Sequence, residues 1–220
     1  MLSRAIYVGL AAPSPGDNQA DADRLTAALP AELGKVTIPL TVLRRLPEML
    51  RAAGWRITAV LGRTEEGWRL QGVEPGDATA RQFGLAVDAG TTTVTAAVVD
   101  LVSGRTLAVA AEENAQITVG EDILTRLWAA AEPGGLARLQ ELLAGSINQA
   151  AAQAAAEARV VFEKITAVAV GANTAITHFL LGLDPAYLYR EPYIPVVNAP
   201  GFFRADDLGL AVHPDAVVYC

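Results

Sequence analysis

Six residues, Asp88-Ala89-Gly90-Thr91-Thr92-Thr93, hold the densest chemistry in the chain, with an apolar run on either side: Phe83 to Val87 before them and Val94 to Val99 after. An Asp closing a buried strand, a tight Gly/Thr turn and a second strand together describe a phosphate-binding hairpin. Glycine permits positive φ and close approach of the backbone to an anion. Successive turn N–H groups, with threonine hydroxyls beside them, form a nest of donors. Asp88 is the natural holder of Mg²⁺, directly or through its waters. The plainer reading is a β-turn that happens to carry threonine, and the flanking strands favour the nucleotide reading over it.

A second set of polar residues follows the apolar strand Ile165 to Val170. Asn173-Thr174 can cap the next helix, and the same donors favour a phosphate nearby. Asp122 and Arg126 stand four apart on a helical pattern, which suits either a surface ion pair or an approach to the nucleotide cleft. His178, one turn into the helix after Asn173, reads as a packing or capping residue rather than a proton shuttle. Asp17, Asp21 and Asp23 read as capping and loop residues, not as a metal cluster.

These residues need a frame, and 220 residues allow one large domain or two small ones. The chain is 52% hydrophobic but only 6% aromatic, so alanine-rich, closely packed helices are expected. A net charge of −7 argues against nucleic acid or an anionic membrane surface as partner. No apolar run has the length of a membrane span, and Met1 to Ala5 lacks the zones of a signal peptide, so the reading is cytoplasmic. The single cysteine, Cys220, permits neither an internal disulfide nor a self-contained thiolate cluster.

Residues 1–80 read as a small α+β domain. It has a strand over 5–10, a helix over 21–29, a helix over 39–53 that Pro47 kinks or ends, and a hairpin of 55–61 with 68–73. The helix over 39–53 is read from Leu40, Leu43, Leu46 and Leu50 at helical spacing. Residues 83–220 read as three meander strands (83–88, 94–100, 105–111), helices over 119–131 and 136–159, a strand over 165–170 pairing parallel to the first, and a helix to 181. Val217 to Cys220 reads as strand. The uninterrupted apolar character of Leu85 to Val87 and Val168 to Val170 predicts central strands covered on both faces.

From Gly84 to Pro195 the chain resembles the superfamily of acetate and sugar kinases, Hsp70 and actin (ASKHA), and more narrowly the ferredoxin-fused reductive activators of corrinoid proteins. The matching stretches are Gly84 to Val94, Asn114-Ala-Gln116, Gly120-Glu-Asp122 with Arg126, Asn173 to His178, Leu181 to Pro185 and Glu191 to Pro195. Asp23-Arg24, Leu46-Pro47 and Val73 to Asp77 extend the likeness to the first unit, as the family's middle domain. The resemblance implies a ribonuclease-H-like first half of an ATPase module, incomplete at its C-terminus. It implies ATP and Mg²⁺ as ligands, with Asp88 placing the metal and acting catalytically, and with Gly90, Thr91, Thr92, Thr93, Asn173 and Thr174 around the phosphates. It further implies a 2Fe–2S cluster in a domain outside this chain and a corrinoid protein of a methyltransferase system as partner, with a homodimer also open. Ala172 departs from the family's glycine, and its Cβ is expected to restrict approach to the second phosphate-facing turn. Two other functions stay open, a small-molecule kinase of the carbohydrate type and a non-enzymatic binding module.

Overall fold

The computed structural model describes residues 1–220, and the chain divides into two compact units, Met1–Gln82 and Phe83–Cys220. The first unit contains β1 (Ser3–Gly9), α1 (Asp21–Ala28), β2 (Val36–Thr37), α2 (Leu40–Leu43), α3 (Leu46–Ala52), β3 (Arg56–Thr64) and β4 (Gly67–Pro75). Its sheet runs β1-β3-β4-β2, with β3 and β4 as the expected antiparallel hairpin. Ile57, Ala59 and Leu61 of β3 alternate into a core with Leu25, Leu46, Leu50 and Leu70, all nearly or fully buried. The long helix expected around Pro47 is two short ones. Pro47 sits in the first turn of α3, where its missing N–H goes unneeded. Leu40 and Leu43 belong to the other piece and stay exposed.

Two of the three early aspartates take individual partners. Asp17 pairs with Arg24 at 2.5 Å and Asp21 with Arg51 at 2.8 Å. The residue capping α1 is Ala20, so none of the three caps it. Both arginines also stack on Trp55, 5.8 and 5.1 Å from the ring centroid.

The second unit contains β5 (Phe83–Ala89), β6 (Thr93–Asp100), β7 (Thr106–Glu113), α4 (Ile123–Ala130), α5 (Gly135–Ala158), β8 (Ile165–Ala172), α6 (Thr174–Leu181), β9 (Phe202–Arg204) and β10 (Val217–Tyr219). Its six strands run β7-β6-β5-β8-β10-β9. β5, β6 and β7 form an antiparallel meander, and β8 lies parallel to β5 with Val87 opposite Val170 and Asp88 opposite Gly171. β10 adds parallel to β8, and β9 closes the edge antiparallel. A meander followed by parallel strands on its first member is the order expected of a ribonuclease-H-like half.

The core lies on one face of this sheet. Leu85, Val87, Val94, Ala96, Val98, Val168 and Val170 meet Leu139, Leu143, Ile147, Ala150, Ala151 and Ala154 of α5. The alanines let that helix lie close to the strands. The opposite face differs from the expectation of burial on both sides: Ala86, Asp88, Ala169 and Gly171 are exposed. The strands alternate after all, but the residues on the open face are small enough for the run to read as continuously apolar. The helix expected over 119–131 starts later, at Ile123, because Asp122 caps it. No helix of the structure is long and apolar enough to cross a membrane.

Candidate functional site: the Gly90–Thr93 turn and its supports

β5 delivers Asp88 to the exposed face one residue before its end, opposite Thr95 of β6 and Gly171 of β8. The next residues form the turn, with Thr92 and Thr93 exposed and Thr91 half-buried. Gly90 departs from the expectation of positive φ, since neither it nor any of the three threonines has one. Glycine is required by closeness instead. A Cβ at Gly90 would lie 2.7 Å from the Thr93 carbonyl oxygen, which accepts the Gly90 N–H at 3.0 Å.

All four turn carbonyls are held by protein donors. The Gly90 oxygen accepts from Asn114 Nδ2 at 2.9 Å, and the Thr92 oxygen from the Asn114 backbone N–H at 2.8 Å. Arg126 Nη1 donates to the Thr91 oxygen at 2.7 Å. With the Thr93 oxygen taken by Gly90, the acceptors are spent, while the Thr91 and Thr92 N–H groups have no acceptor in the protein. The backbone of a turn so arranged offers donors only, as an anion site requires.

The supports are buried polar residues. Asn114, Gln116 and Arg126 have no solvent exposure. Asn114 Oδ1 caps the short 3₁₀ turn that follows by accepting the Gln116 N–H at 3.1 Å. Gln116 donates to the Leu139 oxygen of α5 at 2.8 Å and accepts from Arg126 Nη1 at 3.3 Å. Arg126 Nε donates to the Gly120 oxygen at 2.7 Å. Burial pulls the Arg126 pKa below the ordinary arginine range, and the charge of Asp122 opposes that shift. The four-residue spacing of Asp122 and Arg126 does not make an ion pair. Asp122 is spent on Thr125, accepting its N–H at 2.9 Å and its hydroxyl at 2.7 Å. These bonds, the backbone one foremost, hold the Asp122 carboxyl below its usual pKa.

Just past the end of the neighbouring strand, Asn173 performs the expected capping. Its Oδ1 caps α6 by accepting the Ile176 N–H at 2.9 Å, and its Nδ2 lies 3.4 Å from Thr91 Oγ1. Thr174 is the exposed first residue of α6. Ala172 lies opposite Ala89 and packs on the core, whereas Gly171 stands on the face of Asp88. The expected obstruction by the Ala172 Cβ is therefore absent from that face. His178 is fully buried, with Nδ1 2.7 Å from the Thr174 oxygen and Nε2 accepting the Val196 N–H at 3.1 Å. The second bond leaves Nε2 unprotonated and gives Nδ1 the proton for Thr174, so His178 straps the 183–201 segment to α6. Asn114, Gln116 and Arg126 stand in the motif stretches, but their spacing gave no sign of their joint role. The only signal available was their polarity beside apolar neighbours.

The fold and the turn together define an α/β domain with a donor-lined hairpin at the end of its central strand. The RACo middle region model matches residues 83–220 and the RACo linker region model residues 2–80, so the chain belongs to the RACo family. The name "middle region" thus falls on the second unit. A solved structure, "Reductive activator for corrinoid,iron-sulfur protein", superposes with a TM-score of 0.88 at 31% identity, over 99% of this chain and 35% of that one. "Corrinoid activation enzyme RamQ" of Eubacterium limosum is 26% identical over 137 residues, covering 62% of this chain and 23% of that protein. The chain spans well under half the length of either relative.

Proposed function

We propose that these two units belong to an ATP-dependent reductive activator of a corrinoid protein in a methyltransferase system, and that residues 88–93 form one side of its Mg-ATP site. The supporting observation is the turn itself, with four carbonyls tied back and the Thr91 and Thr92 N–H groups unspent. Phosphate oxygens fit such a donor set, and the exposed carboxylate of Asp88 fits Mg²⁺, which keeps most of its waters and takes few protein ligands. Asp88 would hold the metal through water, while Thr91, Thr92, Thr93 and Asn173 would orient the phosphates. Catalysis would be positioning and charge neutralisation.

ATP turnover would drive a conformational change that lets an electron carrier reach the corrinoid. Cys220 alone cannot ligate a 2Fe–2S cluster, which takes four thiolates, so such a carrier would lie outside residues 1–220. We place the protein in the cytoplasm on the same reading. The test is ATP-dependent reduction of a purified corrinoid protein, followed by its absorbance, by protein in which both units stand in their full-length context. Reduction that continues without ATP, or in an Asp88→Ala variant, would sink the proposal.

A further inference from the structure

We propose that Arg126 is a positioning residue whose buried charge is completed by the bound phosphate, so that the ligand at the front of the Gly90–Thr93 turn is the counter-ion of the guanidinium behind it. This rests on the phosphate reading of the turn.

Arg126 is among the largest fully buried side chains in the protein. Its three hydrogen bonds go to the neutral oxygens of Gly120, Thr91 and Gln116, and no ion pair joins it to a carboxylate. Asp122, the nearby carboxylate that acts on it through space, is exposed and committed to Thr125. On the same guanidinium, Nη2 is buried and has no partner at all. A buried cation without a counter-ion is expensive to keep, and arginine cannot shed its proton to escape the cost. The one structural element it grips outside its own neighbourhood is the Thr91 carbonyl, whose peptide unit carries the unspent N–H of Thr92. Polarising that peptide from the oxygen side makes the unspent donors on the turn more positive. An anion on those donors relieves the buried charge, and the buried charge strengthens the anion's hold. The ligand class is polyphosphate, the multiply charged end of a nucleoside triphosphate.

The experiment titrates pyrophosphate into the 220-residue chain at constant ionic strength, reading the Thr91 and Thr92 amide resonances and the fitted Kd. Wild type is expected to shift at both amides. Arg126→Met is expected to bind about tenfold or more weakly, the order expected of one charge acting through a poorly screened interior. Arg126→Lys, which keeps the charge, should recover most of that loss, whereas a mere brace would leave Lys and Met equally weak. Gln116→Glu supplies an internal carboxylate while leaving the guanidinium in place, and should also weaken binding about tenfold. If Arg126→Met fails to fold, Gln116→Glu decides the matter. Wild-type affinity in a folded Arg126→Met or Gln116→Glu protein overturns the inference and leaves the phosphate turn standing. Equal weakness of the Lys and Met variants also overturns it. Wild-type chain without shifts at Thr91 and Thr92 overturns both the phosphate reading and this one.

Discussion

Arg126 Nη1 lies 2.7 Å from the carbonyl oxygen of Thr91, a residue thirty-five positions earlier in the chain. A helix on the buried side of the sheet thereby fixes which way a peptide on its rim points. The turn accordingly has its carbonyls tied to Asn114 and Arg126, with the Thr91 and Thr92 amides left without a protein acceptor.

For full-length protein containing both units, Asp88→Ala should abolish Mg-ATP turnover without loss of fold, because Asp88 is exposed and contributes little packing. Thr92→Ala removes one exposed hydroxyl and keeps the backbone donors. A hydrogen bond to a charged group is worth about 1.5–3 kcal/mol, so turnover should fall roughly ten- to a hundredfold. Steady-state ATPase rates with thermal melts of both variants are the measurement. A well-folded Asp88→Ala protein turning over normally would remove the central residue of the site.

Asn173 separates stability from binding. Asn173→Ala deletes the α6 cap and should cost about 1 kcal/mol, read as a lower denaturant midpoint. Asn173→Asp keeps the acceptor for the Ile176 N–H but loses the donor facing Thr91, and sets a negative charge beside the turn. It should melt near wild type yet bind polyphosphate more weakly than the alanine variant. Equal binding by the two would detach Asn173 from the ligand.

His178→Ala should act on the 183–201 segment. The change opens a cavity and orphans the Val196 N–H, and losses of this kind sum to about 2–4 kcal/mol. Limited proteolysis should show faster cleavage near the exposed Tyr187 and Tyr193 than in wild type. Unchanged cleavage in a protein with unchanged melting would show that the strap is held elsewhere.

Much of this was legible beforehand, and the exceptions have physical reasons. The hairpin, Asp88 at its edge and the parallel seat of Ile165–Ala172 beside Phe83–Ala89 all follow from short apolar runs ending in polar turns. The role of Arg126 does not, because the spacing to Asp122 suits either a surface pair or an approach to the cleft, and only the tertiary structure reveals that Thr125 has already claimed the carboxylate. The open face of the sheet was hidden by its alanines and glycine, which read as core while lying in solvent. β9 is three residues long, too short for a period to declare itself. Gly90 was read for positive φ, which it does not adopt; a Cβ there would instead meet the Thr93 carbonyl.

The thiol of Cys220 gives a pH-dependent check. Burial pushes its pKa from the ordinary 9.0 up to about 11. The folded pKa being raised, the associated stability is complete below pH 9 and is lost as pH climbs toward 11. Alkylation by iodoacetamide at pH 9 should be much slower in the native chain than in urea-unfolded chain, and the native rate should rise steeply only near pH 11. Equal native and unfolded rates at pH 9 would contradict the buried setting of the sulfur.

The span of the turn's tethers also carries a consequence for how the protein is made. A two-strand hairpin closes by itself in roughly 1–10 μs. Its anchoring bonds, however, come from partners 24, 35 and 82 residues further along. During synthesis the hairpin emerges first and stays unbraced until the Asn114–Arg126 stretch has cleared the ribosome and docked, and Asn173 arrives later still. At the ribosomal pace of about 5–20 residues per second, that interval lasts seconds. A nascent chain is thus able to hold the right strands before it is able to hold a ligand.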